Sequence, residues 1–348
     1  MGNTITIPTF GYVTLTEAVN AMQSVPSFIR SLIFRNREPE YPTTSVLVDI
    51  IVGGKKIAPF VKRGNAAKVV GNTGLKSQTI TPPSIRLKKF LTPSDLMLRS
   101  SGDSVFVPAS AGGNMLEQAR KKKIAFEQKD LKDIIDRTIE FMCMKALTGS
   151  YTITQDDLEF TIDFGMPSAN KPTLTSTAKW DAPTTCKPLA NLRAWRNLAY
   201  KASGKVGTIV LYNSTTFEQF VAADEVVKYL DKKNIDLGSI KTDQLILEMG
   251  AIKTAEIDGM VHYMYDATYT DGQGNDQKFI PDGKVIIAAP SADNRIHFCA
   301  PEEIQTLMAK YFSKDVVKDD PSGLELIVES DPLPACHQPD ANIYATVA

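Results

Sequence analysis

Histidine and cysteine carry much of the nucleophilic and metal-binding chemistry of proteins, and here they are few and scattered. The chain has three histidines, His262, His297 and His337, and four cysteines, Cys143, Cys186, Cys299 and Cys336. No histidines have an HxxxH spacing and no cysteines form a CxxC pair, the spacings by which helices and loops gather zinc ligands. His262 lies within Met260-Val261-His262-Tyr263-Met264, and His297 lies between Ile296 and Phe298. Both read as strand residues with satisfied rings. A Cys-His hydrolase would need a pair such as Cys299 and His262, yet nothing local marks an activated thiol. The four cysteines read as reduced thiols of a cytosolic protein.

Two segments imitate ligand loops. Ser203-Gly204-Lys205-Val206-Gly207-Thr208 has the look of a phosphate loop, but Ala199 stands where the first glycine belongs. Val206 stands where Ser or Thr would hold magnesium. It reads as a helix end before a strand. Asp271-Gly272-Gln273-Gly274-Asn275-Asp276 lacks the sixth-position glycine and twelfth-position Glu of a calcium loop. A hairpin turn between Ala267-Thr268-Tyr269 and Lys278-Phe279-Ile280 fits better. The pairs Asp156-Asp157, Asp224-Glu225 and Glu302-Glu303 read as caps and solvated surface, because adjacent side chains do not face each other on a helix. No cofactor or metal is expected.

What remains is charge and apolar patterning. Of 348 residues, 43% are hydrophobic and 23% charged, ordinary for a folded soluble protein with a sizeable core. A net charge of −1 gives no global field toward nucleic acid or an anionic membrane, and lets many copies crowd together. No run approaches the length of a membrane span, and the start of the chain has no signal-peptide pattern. Arg30, Arg35, Arg37, Lys55, Lys56, Lys62, Arg63 and Lys68 concentrate positive charge. Glu38, Glu40 and Asp49 interrupt them, and no recognition motif accompanies them.

These residues sit on an arm and a hairpin. Phe28-Ile29-Arg30-Ser31-Leu32-Ile33-Phe34 is an apolar piece of an amphipathic arm, expected to find cover on a neighbouring subunit rather than on its own. Removing residues 1–40 is accordingly expected to leave a folded subunit that cannot form closed shells. Val46, Val48, Ile50 and Val52 alternate as a strand, and Gln78 to Leu87 returns, broken at Pro82-Pro83. The basic excursion between them reads as a projecting hairpin. A long helix follows from Met115 to Leu147, capped by Asn114 and stopped at Gly149. Its apolar face is Ile124, Leu131, Ile135, Ile139, Met142 and Ala146. Arg120 to Lys123 near its start read as a solvated face or a patch for an acidic neighbour.

Beyond it, Tyr151 to Phe164 is a hairpin around Gln155-Asp156-Asp157, and Pro167 to Pro188 is a loop. Residues 190–305 form a compact α/β unit, with a helical face at Leu192, Trp195, Leu198 and Ala199 and a buried strand at Val206 to Tyr212. Leu324 to Glu329 and Ile343 to Val347 are late strands.

This order of elements resembles the major capsid protein of lambda-type tailed phages, the protein E family with the Hong Kong 97-like fold. The resemblance rests on Phe28 to Arg35, Pro42-Thr43-Thr44-Ser45-Val46-Leu47-Val48, Ala146-Leu147-Thr148-Gly149-Ser150-Tyr151-Thr152-Ile153 and Phe279 to Lys284. It also rests on Glu329-Ser330-Asp331-Pro332-Leu333-Pro334 and Pro339 to Asn342. It implies an α+β fold: an N-terminal arm over 1–45, an extended loop over 46–95, and a peripheral domain with the spine helix over 96–189. An axial domain would fill 190–305, and C-terminal strands over 306–348 would return to the peripheral domain.

The function implied is self-assembly into hexamers and pentamers of an icosahedral phage head around double-stranded DNA, without enzymatic activity. Only about 25 residues precede Pro26. The family logic then implies a separate scaffolding protein and protease, a portal, and an optional decoration protein. Contact with packaged DNA would be non-specific, no membrane would be involved, and assembly would occur in the host cytoplasm. Phe28, Arg30, Phe34, Arg35, Lys55, Lys56, Lys62 and Arg63 are expected at contacts between subunits, the basic ones against acidic groups of a neighbour. Alternatives are an encapsulin-like compartment shell protein, a decoration or tail protein, and an unrecognised enzyme.

Overall fold

The computed structural model describes residues 11–25, 27–52, 74–97, 112–155, 158–233, 244–270, 274–303 and 308–348. Its axis is helix α4, Gly112–Leu147, which begins two residues before the expected cap. The apolar stripe read from sequence is buried throughout: Ile124, Leu131, Ile135, Ile139, Met142 and Ala146. Gly149 ends the element at φ +87, where a Cβ would lie 2.4 Å from Met166 Cβ. Both the left-handed backbone and the crowding require glycine there.

Among the described residues, α1 (Tyr12–Ala21), α2 (Phe28–Leu32) and α3 (Pro93–Met97) precede α4. Strands β1 (Val46–Val52) and β2 (Gly74–Ile80) pair antiparallel, Val46 opposite Ile80, as a two-stranded sheet. Val46, Val48, Ile50 and Ile80 are buried, so the root of this hairpin belongs to the main core. Lys55, Lys56, Lys62 and Arg63 lie outside the described residues. After α4 come β4 (Ser150–Gln155) and β5 (Leu158–Asp163), the expected hairpin. The turn residues Asp156 and Asp157 also lie outside the described residues.

Strand β3 (Ile85–Leu91) and three later strands form the sheet that packs on α4. These are β12 (Asn294–Cys299), β13 (Phe312–Asp319) and β14 (Ser322–Cys336). Sequence reading expects β14 over Leu324 to Glu329. The strand instead continues to Cys336, with Pro332 opposite Phe298 and Pro334 opposite Ile296. Over 324–329 it is paired on both sides, by β13 and β3; over 331–336 β12 is its paired neighbour. A strand paired along one side tolerates prolines at alternate positions.

The second unit is a five-stranded sheet in the order β15-β11-β6-β8-β7. Its strands are β6 (Ile209–Tyr212), β7 (Ala251–Ile257), β8 (Met260–Tyr265), β11 (Lys284–Ala288) and β15 (Ile343–Thr346). Helices α5 (Pro188–Ser203), α6 (Ser214–Ala222) and α7 (Asp224–Lys233) cover one face, over Val210, Tyr212, Val285 and Ile287. The other face, with Leu211, Tyr263 and Ile286, joins the core shared with Phe28 and α4. Burial on both faces explains the unbroken apolar run in β6.

The boundary at 190–305 is corrected in two places by strand pairing. Residues 294–299 pair with β14 and so join the α4-side sheet, whereas residues 343–346 pair with β11 and join the second unit. Pairing, not chain order, decides membership. Helix α8 (Gln244–Glu248) and the hairpin of β9 (Thr268–Thr270) with β10 (Asp276–Lys278) complete the elements used here.

Candidate functional site

The arm does not wait for a neighbour to cover it. Phe28, Ile29, Ile33 and Phe34 are fully buried in their own subunit. Phe28 packs edge-on to Tyr263 at 5.1 Å and beside Tyr265 at 5.3 Å. Residues 37–43 run alongside β12: Ile296 N–H donates to Arg37 O, Phe298 N–H to Pro39 O, and Tyr41 N–H to Phe298 O. Phe28, Arg30 and Phe34 are therefore corrected from contacts between subunits to anchors within one. An amphipathic pattern states that a face is covered, not which copy covers it. Arg35, at φ +53, is exposed beyond the end of α2.

What holds the arm is a polar stripe on α4 that sequence reading missed: Gln128, Lys132, Asp136 and Glu140, each one turn apart and all buried. Glu140 accepts the N–H groups of Ile29 (2.7 Å) and Arg30 (3.0 Å) and the hydroxyl of Tyr265 (3.2 Å). It caps the start of α2 from another element, supplying acceptors that Ser27 does not. Burial pushes its carboxyl pKa up, opposed by those N–H donors. Arg30 donates to Glu38 (2.5 Å) and to Asp136 (2.9 Å), and Lys310 reaches the second Glu38 oxygen at 2.7 Å. Tyr311 O–H also donates to Asp136. Burial would lower the Arg30 pKa, but the bonds to Glu38 outweigh it and hold the guanidinium charged. Lys132 Nζ donates to Met22 O (2.5 Å) and Ser24 Oγ (3.2 Å) and lies 5.2 Å from the Tyr311 ring centre. Burial lowers its pKa, against the pull of Asp136.

Helix α1 closes the seam. Thr16 Oγ1 donates to Ser313 O (3.1 Å) and accepts from Ser313 N (3.0 Å). Asn20 does the same to Tyr311, through Nδ2 to O (2.7 Å) and N to Oδ1 (3.3 Å). Residues four apart on a helix rise about 6 Å, close to the ~6.6 Å between alternate strand residues. Side chains carrying both a donor and an acceptor thus stand in for a strand partner along this edge of the sheet and protect it.

The chemical candidates are not brought together. His262 is buried in the five-stranded sheet, with Nδ1 3.0 Å from Tyr212 O–H, and burial lowers its pKa to about 4. Cys299 lies in the other sheet, opposite Asp331. Burial and then Asp331 push its thiol up to about 11, away from a reactive thiolate. Ser203 and Gly204 end α5 as read, with Gly204 N–H donating to Tyr200 O. Glu225 caps the start of α5, accepting from Leu189 N at 2.9 Å. Among the described residues no group of three or more metal-ligating side chains occurs, and no helix is long and apolar enough to cross a membrane.

Asp331 is the misfit. Burial, with Glu329 and Glu302 adding, raises its carboxyl to about 6. A raised carboxyl contributes stability below the ordinary carboxylate pKa that is lost as pH rises through about 6. Asp331→Asn is expected to stabilise the subunit by about 2 kcal/mol at pH 8 and to change little at pH 4, measured by denaturant unfolding.

The crystal structure of a capsid protein from an Escherichia coli CFT073 prophage matches with a TM-score of 0.74 at 14% identity, over 98% of this chain and 100% of that one. A phage-related protein from Bordetella bronchiseptica matches at 0.53 and 10% identity, over 98% of each chain. The capsid protein of Cyanophage P-SCSP1u matches at 0.52 and 9% identity, over 94% of this chain and 90% of that one. A mixed fold threaded on one long helix, with an arm clasped across it, is thus the Hong Kong 97-like capsid fold.

The sequence narrows the class. The major capsid protein of Enterobacteria phage P21 and a P21 prophage-derived major head protein of Escherichia coli are each 21% identical over 327 residues, 90% of this chain and 92% of theirs. A family model described as phage major capsid protein E matches residues 11–347, and the chain belongs to that family. It is a major capsid protein that forms the shell of a phage head and resides in the virion.

Proposed function

We propose that copies of this chain form hexamers and pentamers of an icosahedral head enclosing double-stranded DNA, and that the role is mechanical, not enzymatic. Residues 1–45 act as the N-terminal arm and 46–95 supply the extended loop. Residues 96–189, with β12, β13 and β14, make the peripheral domain, and most of 190–305, with β15, makes the axial domain. A scaffolding protein, a protease and a portal come from other chains, a decoration protein can bind outside, contact with DNA is non-specific, and assembly takes place in the host cytoplasm.

One observation carries this reading: the capsid family model runs along nearly the whole subunit, over residues 11–347. A net charge of −1 supports non-specific rather than tight DNA contact. Exposed Phe126 and Ile134 on α4 and Leu47 on β1 offer apolar surface for neighbours.

Arg35, Lys55, Lys56, Lys62 and Arg63 remain the proposed contacts with acidic groups of a neighbour. Reversing Lys55, Lys56, Lys62 and Arg63 to glutamate together is expected to leave the subunit folded by circular dichroism and to abolish shells in electron micrographs at low and moderate salt. Normal shells from that variant would refute these contacts.

A further inference from the structure

Two buried histidines lie where the arm, the β1–β2 hairpin and the sheet meet, and the shell role leaves them unused. His297 Nε2 and His337 Nε2 are 2.9 Å apart. His297 Nδ1 is 3.1 Å from Tyr41 O–H, on the arm, and His337 Nδ1 is 2.6 Å from the carbonyl of Asp49, on β1. Both rings are buried, at 2% and 7% exposure.

The hydrogens can be placed by elimination. A carbonyl only accepts, so His337 Nδ1 carries a hydrogen. In a neutral ring its Nε2 then accepts, so His297 Nε2 is the donor. His297 Nδ1 accepts in turn, and Tyr41 O–H donates to it. The chain of bonds runs one way, from the arm through two rings to the hairpin root.

Its response to protons has a threshold. One added proton is accommodated: a single hydrogen stays between the two Nε2 atoms, and His297 Nδ1 donates to the Tyr41 oxygen instead. A second proton sets N–H against N–H across 2.9 Å, between two positive rings. That contact cannot hold.

We propose that the chain Tyr41, His297, His337 and Asp49 is a proton-sensitive clasp that ties the root of the β1–β2 hairpin to the body of the subunit and opens when both rings are charged. The charged groups around it do not neutralise two added charges. Asp293, in the loop before β12, is the acid that acts on both rings. It is already paired with Arg295 of β12 at 2.7 Å and with Arg37 of the arm at 3.6 Å. From β1, the Asp49 carboxylate is engaged by the Ser77 hydroxyl at 2.5 Å, and β14 contributes the neutral Cys336 beside His337. Burial, then His337 and Arg295, lower the His297 pKa to about 4, so the clasp is closed at neutral pH. The sign follows: a lowered histidine pKa favours the closed form above about 6.5, and that preference is lost as pH falls toward about 4.

The test is amide hydrogen exchange of the full-length subunit, corrected for intrinsic rates. Between pH 6 and 4, protection of Val46–Val52 is expected to fall by about tenfold or more, while α4 amides stay protected. His337→Asn keeps an N–H for the Asp49 carbonyl but removes the second proton site. Its β1 protection is expected to stay within about threefold over the same range. An equal loss in the wild type and in His337→Asn would overturn the clasp, as would loss in α4 and β1 together. Should that variant fail to fold, histidine-selective NMR of the wild type decides. Three ring signals are expected, with that of His297 titrating below the ordinary histidine range. Titration of His297 near 6.5 would overturn it.

Discussion

Arg30→Ala is expected to destabilise the unassembled subunit by about 3–5 kcal/mol. The side chain is nearly dry, and its loss leaves Asp136, fully buried, and Glu38, 6% exposed, facing each other without their shared cation. Lys310 still reaches Glu38, but nothing replaces the bond to Asp136 except Tyr311 O–H. Breaking one partner of a buried pair costs more than the pair contributes, because the remaining charge stays desolvated. Equilibrium urea unfolding measures the loss. A change under about 1 kcal/mol would mean that the arm is not clasped in the isolated subunit.

Phe28→Ala is expected to cost about 3–5 kcal/mol by the same measurement. The ring fills a wholly buried site against Tyr263 and Tyr265, so truncation leaves a cavity between the arm and the five-stranded sheet. Both substitutions act on α2, so their effects should not add. Against a typical total of about 5–15 kcal/mol, either loss is large enough to deplete assembly-competent subunits. The same reasoning reverses the expectation for removal of residues 1–40: that cut deletes core residues and should unfold the subunit.

The apolar stripe of α4 was legible because apolar residues recur at steps of three, four and seven from Ile124 to Ala146, about six turns. The hairpins at 150–163 and 268–278 were legible from alternation around turn residues. The stripe Gln128-Lys132-Asp136-Glu140 was not, because charged residues on a helix are ordinarily assigned to solvent. Its signal was present all the same: four polar residues at a strict step of four, beside the apolar face. The arm was misassigned for a different reason. Its pattern correctly demanded cover, and nothing in a single chain distinguishes cover by its own fold from cover by a copy. The run of β14 through Pro332 and Pro334 was hidden because proline usually ends a strand, and only the pairing with β12 shows why it need not here. His262 and His297 were correctly placed on strands, but the meeting of His297 with His337, just past the end of β14, depends on register between β12 and β14, which local sequence does not encode.

Electron cryomicroscopy of particles made by expressing this chain with its neighbouring genes is the decisive measurement. Closed shells built from this polypeptide are expected, with Phe28 and Arg30 of each copy lodged against Tyr263 and Asp136 of that same copy. Soluble subunits that never close into a shell under any co-expression would contradict this expectation.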